Sequence, residues 1–283
     1  MKQRFITVLQ TLMFSVALSA LLISCGNESN NQEQKEDEVI TEENVVEQAQ
    51  KLVYPLPTPL EVTSMLNKAG ASYILDLANR PENVDKYFTE MAKALNLGVY
   101  GADLSYASTY NKSQETHDYL AATLKLRDGL SVETPEDLNL LEKVEANINN
   151  NDSLYEILTT SFHGTFKYLN DNGKGAVSVM VLAGGWIEGV YLSVELASLT
   201  ENNAEILKTI AEQKTTLDNL IPLLEAYKDD ENVASVLKDL NEIRVIFDSI
   251  PAKEDRTIDL SGENFKKIQT AIEALRKKVI ETT

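Results

Sequence analysis

Two glutamates in a long apolar stretch are the residues whose type and spacing best suit chemistry. Glu188 and Glu195 stand seven positions apart, which is two helical turns, so they share one helix face. Carboxylates in an apolar helix cost free energy unless they are paired, hydrated or functional. The single tryptophan, Trp186, and Tyr191 are close by. These residues predict a pocket with one or two acids and an aromatic wall. The alternative is two acids at the margin of a buried helix that meet Lys, Arg or water.

The stretch Leu97–Tyr110 is the second candidate wall of this pocket. Tyr106 and Tyr110 stand four positions apart on one helix face, and tyrosine combines a large contact area with a hydrogen-bonding tip. Gly98 and Gly101 predict a tight turn between two helices, with Gly98 as a left-handed C-cap. The alternative is a helical hairpin whose small residues pack closely.

The motifs of common catalytic classes are missing from the sequence. It holds no His-Glu-x-x-His, no Gly-x-Ser-x-Gly and no P-loop. Di-iron bundles need Glu three residues before His, whereas His117 and His163 follow Gln114 and Thr160 at that spacing. We therefore expect no metal, no cofactor and no catalysis. An enzyme stays open as a lesser alternative, because a site assembled from separate helices leaves no local motif.

Composition excludes several further classes. The chain has 283 residues and a formal net charge of −18, which repels nucleic-acid backbones and anionic lipid surfaces. We expect no nucleic-acid partner. Hydrophobic residues make up 43% and charged residues 25%, as in a globular chain rather than a disordered or polytopic membrane protein. The single cysteine rules out an intramolecular disulfide.

The first 24 residues have the pattern of an export signal, with a basic start and a long uncharged apolar stretch. The stretch ends in Leu22-Ile23-Ser24-Cys25, which resembles the lipobox of bacterial lipoproteins. The resemblance implies cleavage before Cys25, diacylation of its thiol and acylation of the new amino terminus. The alternative is an uncleaved membrane anchor, since about 20 apolar residues span a bilayer.

Residues 25–53 predict a lipidated cysteine followed by an acidic tether. Positions 26–51 hold eight acids, two bases and no aromatic residue, too little apolar surface to offset the entropy of ordering. Gln34-Lys35-Glu36-Asp37-Glu38 resembles the acidic export tags of Bacteroidetes-type surface lipoproteins, which implies surface export; the alternative is a plain solvated linker. Gly26 stands where enterobacterial lipoproteins retained in the inner membrane carry Asp. We therefore expect an outer-membrane protein, either periplasmic or surface-exposed.

Residues 54–283 predict one all-α domain, a multi-helix bundle of about nine or ten helices. A capping box with Pro59 at the first helical position begins a helix that should end before Gly70. Gly173 is a C-cap candidate, and Pro222 should kink or break its helix. The body resembles uncharacterised envelope lipoproteins of the Bacteroidetes type.

The stretch 175–199 is predicted as a buried central helix. Residues 177–182 have strand character, but no second such run offers a pairing partner. Small residues recur every four positions, at Gly185, Gly189, Ser193 and Ala197, and form a ridge that lets another helix approach. Positions 101–105 resemble positions 189–193, which leaves open two related helical halves or a coincidence.

These observations predict a lipid-anchored envelope protein with a non-catalytic helical body. The first hypothesis is an interaction or scaffold role with an envelope protein as partner. The alternative is a small-molecule binding module with its pocket between the 97–110 and 175–199 segments. The candidate pocket residues are Tyr106, Tyr110, Trp186, Glu188, Tyr191 and Glu195.

Overall fold

The computed structural model describes residues 59–134, 139–252 and 258–283. Their regular structure is helical: α1 (Pro59–Lys68), a 3-10 helix (Pro81–Lys86), α2 (Glu90–Thr109), α3 (Ser113–Gly129), α4 (Leu140–Ala146), α5 (Asn151–Asp171), α6 (Gly175–Leu199), α7 (Ala204–Glu225), α8 (Glu231–Asp248) and α9 (Glu263–Glu281). The described ranges contain an isolated bridge between Ala252 and Ile258 but no strand. The predicted all-α bundle is confirmed. Cys25 and the tether lie outside the described residues.

Helix α6 is the central element of the bundle. It packs against α1, α2, α5, α7, α8 and α9. In the described part of the chain it is the one helix long and apolar enough to cross a membrane. However, 94% of its most apolar 18-residue stretch is buried inside the fold. The prediction of a buried central helix at 175–199 is confirmed, and the β-branched run at 177–182 lies within it.

Helices α2 and α6 cross with their backbones in contact at two glycines. A Cβ atom on Gly98 would lie 2.1 Å from the carbonyl oxygen of Val181, and one on Gly184 would lie 1.9 Å from that of Leu95. The predicted turn at Gly98 and Gly101 is therefore wrong, because α2 runs unbroken through both. Gly98 is needed for helix crossing rather than for a left-handed cap.

The predicted ridge of small residues on α6 is only partly used. A Cβ on Gly185 would lie 3.4 Å from Pro59 and 3.5 Å from the Gly98 carbonyl oxygen, whereas one on Gly189 would meet nothing within 4 Å. The closest approach is at Gly184, one position before the predicted ridge begins. Periodicity therefore located the right part of α6, but of the ridge glycines only Gly185 lies at the contact with α1 and α2.

Two of the predicted helix ends are confirmed. Helix α1 ends before Gly70, which has a φ of +84°, and α5 ends before Gly173, which has a φ of +71°. The predicted break at Pro222 is wrong, since α7 continues to Glu225. Pro222 lies in the last turn, where a missing N–H removes only one hydrogen bond near the helix end.

Candidate functional site

A buried cluster of charged side chains lies where α2, α6 and α9 meet. Glu188 of α6 is 0% exposed. Arg276 of α9 donates to both of its carboxylate oxygens: Nε lies 3.0 Å from Oε2, and Nη2 lies 3.0 Å from Oε1. A planar guanidinium that binds a carboxylate at two points is among the stronger pairings available to a side chain.

Two further contacts hold Arg276 in place. Its Nη2 also donates to the carbonyl oxygen of Leu77 at 3.2 Å. Its Cζ lies 4.4 Å from the centre of the Tyr191 ring, which places the cation against an aromatic face. Tyr191 follows Glu188 by three positions, so α6 presents both side chains to α9 on one face. Arg276 therefore joins α6, α9 and the loop before the 3-10 helix.

Asp103 of α2 is the second fully buried acid of this cluster, at 0% exposure. Its Oδ2 accepts a hydrogen bond from the backbone N–H of Asn79 at 3.1 Å. Its Oδ1 has no hydrogen-bond donor among the described residues. Burial raises the pKa of Asp103 well above its usual value, and the neighbouring Glu188 raises it further, whereas Arg276 lowers it. This pattern favours the protonated acid.

Glu195 lies farther along the same seam between α6 and α9, and it is partly buried. The side-chain amide of Gln269 on α9 donates to its Oε1 at 3.4 Å. Burial raises the pKa of Glu195, and a hydrogen bond with Glu273 raises it further. The two predicted acids thus share a seam but have different partners: Glu188 pairs with a cation, and Glu195 with an amide and another acid.

Tyr106 and Tyr110 belong to a separate aromatic cluster with Tyr73. The ring of Tyr73 stacks on that of Tyr106 at 4.7 Å and lies 5.8 Å from that of Tyr110. The Tyr106 hydroxyl accepts from the backbone N–H of Ile74 at 2.7 Å, and the Tyr110 hydroxyl donates to the Ala71 carbonyl at 2.8 Å. These side chains fasten the segment after α1 onto α2.

The six predicted pocket residues therefore separate into groups. Glu188, Tyr191 and Glu195 meet on the seam between α6 and α9. Tyr106 and Tyr110 lie in the aromatic cluster. Trp186 precedes Glu188 by two positions, so it faces the opposite side of α6, and it is 7% exposed.

Sequence reasoning missed the two partners that complete the charged cluster, Asp103 and Arg276. A signal for each is present in the sequence. Arg276 continues the apolar spacing of Ile268 and Ile272 at four residues, which places a charge on the buried face of α9. Asp103 lies in an otherwise uncharged stretch of α2. Their pairing with residues of α6 had no local signature, since 88 positions separate Arg276 from Glu188.

A cavity of about 60 Å³ lies on the other side of α2. Its wall is mainly apolar and includes side chains from both predicted segments. The lining residues are Pro59, Leu60, Leu97, Gly101, Leu104, Ser105, Leu120, Thr123, Arg127, Leu140, Leu158, Thr159, Ser161, Phe162, Thr165 and Val181. Pro59, Gly101, Thr159 and Phe162 are partly exposed, so the cavity reaches the surface. The six predicted pocket residues are not part of this lining.

Hydroxyl groups and one guanidinium give this cavity its polar side. Arg127, only 4% exposed, donates to the hydroxyls of Ser161 at 2.8 Å and Thr134 at 3.1 Å. Thr159 Oγ1 is buried and has no hydrogen-bond partner in the described part of the chain. An apolar chamber with a few converging polar groups is the usual form of a small binding site.

Comparison with protein-family models, with curated proteins and with solved structures finds no match to this chain.

Proposed function

We propose that this protein is a lipid-anchored protein of the bacterial cell envelope whose helical body acts by binding rather than by catalysis. The lipobox resemblance at Cys25 supports the anchor, and Gly26 after it supports outer-membrane placement. Two or three acyl chains of the palmitate type, each buried methylene contributing about 0.8 kcal/mol, hold a protein stably at a membrane. The net negative charge of residues 26–51 disfavours contact of this segment with an anionic lipid surface.

The cavity beside α2 is the observation that carries the binding proposal. Its lining joins Leu97, Gly101, Leu104 and Ser105 of one predicted segment to Val181 of the other. This arrangement favours a small-molecule binding module over a scaffold. Drug-sized ligands occupy about 300–1,000 Å³, so a cavity of about 60 Å³ suits a small apolar group, such as the end of a larger molecule.

The unpartnered hydroxyl of Thr159 adds a chemical requirement on the ligand. A buried polar atom without a hydrogen bond costs about 1–3 kcal/mol. A ligand that brings a hydrogen-bonding atom beside its apolar group removes this cost. We therefore propose an apolar ligand with a single polar atom within reach of Thr159.

Gly101 permits a direct test of the binding site. A Cβ at this position meets nothing within 4 Å, so Gly101→Leu extends into the cavity without displacing backbone. Gly189→Ala is the matched control, because Gly189 is also helical and open around its Cβ but does not line the cavity. The full chain, purified from cell envelopes, is analysed by native mass spectrometry. We expect a small molecule bound to the wild type and to Gly189→Ala, and lost from Gly101→Leu. Equal recovery with all three, or recovery with none, contradicts the proposal.

Cys25→Ala tests the anchor separately. We expect the wild-type amino terminus to be an acylated Cys25 by mass analysis and the variant to lose the lipid and its attachment to the outer membrane. Proteolysis of intact cells then distinguishes a tether cut at the cell surface from one protected in the periplasm. An unmodified amino terminus at Met1 contradicts the lipoprotein proposal.

An interaction or scaffold role is the second candidate function. Its support is the proposed lipid anchor and acidic tether, together with the exposed side chain of Phe88. Phe88, directly before α2, is 74% exposed. Aromatic side chains are common anchors at protein interfaces. Co-purification from intact envelopes with wild type and with Phe88→Ser tests this role; a partner retained equally by both contradicts a contact at Phe88.

A further inference from the structure

We propose that Asp103 and Glu188 share one proton, and that this buried proton-binding site holds α9 on the core and makes the fold sensitive to pH. The proposal concerns the charged cluster where α2, α6 and α9 meet, and it is independent of ligand binding in the cavity. The proton is the ligand, and the site consists of two carboxyl groups and one guanidinium.

The charge balance of the cluster is the first argument. Asp103 and Glu188 are each 0% exposed, and Arg276 is the cation that acts on both. Two ionised carboxylates against one guanidinium leave a net negative charge in the core. A buried charge without compensation is strongly unfavourable, whereas a single added proton makes the cluster neutral.

The hydrogen bonds of the cluster show which carboxyl takes the proton. Both oxygens of Glu188 accept from Arg276, a pairing that suits a carboxylate. Only Oδ2 of Asp103 accepts a hydrogen bond, from Asn79, while Oδ1 is buried with no donor among the described residues. A proton on Oδ1 turns that atom into a donor toward Glu188. The hydrogen bond then satisfies the orphaned oxygen and removes the repulsion between the acids.

No other titratable group around Asp103 supplies the positive charge that would balance two ionised carboxylates. The phenols that face it come from α2, α3 and the segments before α2: Tyr73, Tyr87, Tyr100, Tyr106 and Tyr119. Burial raises the pKa of each, to about 12 for Tyr106, so they are neutral near neutral pH. Farther along the seam, Glu195 of α6 and Glu273 of α9 are acids, so neither can supply a compensating positive charge.

The direction of the pH effect follows from linkage. Burial and Glu188 raise the pKa of Asp103 in the folded chain, whereas an unfolded aspartate has a pKa of about 3.9. The contribution to stability is therefore complete below about pH 3.9 and is lost as the pH rises toward the pKa of the folded state. Across that window the folding equilibrium constant falls about tenfold per pH unit.

The test compares wild type with Asp103→Asn in the full chain. Asparagine keeps a hydrogen-bond donor at this position and cannot ionise. Asp239→Asn is the matched control, since Asp239 is an ion-paired, partly buried carboxylate of α8 beside Lys278 of α9 and lies outside the charged cluster. Urea unfolding is measured at successive pH values above about 3.9, the pKa of an unfolded aspartate. Until the pH reaches the pKa of folded Asp103, we expect the wild type and Asp239→Asn to lose about tenfold in folding equilibrium constant per pH unit relative to Asp103→Asn.

Infrared spectroscopy of wild type with isotope-labelled aspartate detects the proton without any variant. We expect a protonated-carboxyl band from labelled aspartate at neutral pH, which disappears on raising the pH. If Asp103→Asn does not fold, the presence or absence of this band tests the buried proton without the variant. Absence of the band near neutral pH, or the same pH dependence in wild type and Asp103→Asn, overturns the proposal.

Discussion

The crossing of α2 and α6 makes a sharp prediction about two glycines on the same helix. Gly98 and Gly101 are one turn apart on α2. A Cβ on Gly98 would lie 2.1 Å from the Val181 carbonyl oxygen and 2.5 Å from the Gly185 nitrogen, whereas one on Gly101 would meet nothing within 4 Å. We therefore expect Gly98→Ala to destabilise the fold severely and Gly101→Ala to stabilise it.

The magnitude follows from the size of the clash. Ordinary contact to a Cβ begins at 3.4 Å, so the two backbones must separate by more than 1 Å. A radial gap of 0.5–1 Å forfeits about a quarter to a half of the dispersion energy of each atom pair it opens. Overpacking typically costs about 1–3 kcal/mol when side chains can adjust. The atoms met here are backbone, which places Gly98→Ala at about 3–5 kcal/mol.

Gly101→Ala is the matched control, with the same chemical change on the same helix. Replacing a helical glycine by alanine without a clash stabilises by about 1 kcal/mol. The two variants should therefore differ by about 4–6 kcal/mol, which for a domain of this size corresponds to a Tm difference of about 10–20 °C.

Urea unfolding followed by circular dichroism measures the loss of helix, and the fluorescence of Trp186, which is 7% exposed on α6, gives a second probe of unfolding. Gly184→Ala should be as harmful as Gly98→Ala, because its Cβ would lie 1.9 Å from the Leu95 carbonyl oxygen. Since either change separates the same helices, the double variant should cost less than the sum. If Gly98→Ala lies within about 1 kcal/mol of Gly101→Ala, the close crossing is refuted.

Two further predictions concern α9 and α8. Arg276→Met leaves Glu188 buried without its cation and should lower the free energy of unfolding in urea by about 3–5 kcal/mol. The neighbouring Lys277 has a side chain that is 72% exposed, so Lys277→Met should change the free energy of unfolding little. Similar losses from both variants contradict the buried pairing. Asp230 caps α8, since its side chain accepts hydrogen bonds from the backbone N–H groups of Asn232 at 2.8 Å and Val233 at 3.1 Å. Asp230→Ala should therefore lower the free energy of unfolding by about 1 kcal/mol and the Tm by about 2–4 °C. An unchanged Tm contradicts a stabilising cap at this position.

Much of the fold was accessible from sequence because helix signals are local. Apolar spacing and the glycines after α1 and α5 located elements whose ends depend on neighbouring residues. The failures share a physical cause. Whether Gly98 ends a helix or lets one cross another depends on a backbone more than 80 positions away, and Pro222 is tolerated because α7 has only three residues left.

The candidate site was less accessible, because its partners come together only in the folded chain. The spacing of Glu188, Tyr191 and Glu195 correctly placed them on one face of α6. It did not show that Arg276 would neutralise one of these acids, or that Asp103 would come from α2. The sequence predicts the same pocket for Tyr106 and Tyr110, but their hydroxyls bind backbone atoms of the loop beside them.

The charged cluster is better explained by specificity than by stability. Apolar side chains of similar volume often stabilise a core as well as a buried ion pair does, since the ion pair must offset the loss of hydration. A hydrophobic seam alone, however, tolerates a shift of α9 by one turn. With Arg276 bound to Glu188 at two points and to the Leu77 carbonyl, such a shift leaves a buried carboxylate without its cation. The cluster therefore fixes the register of α9 on α6, and the proton on Asp103 is the condition under which three ionisable groups fit in one core.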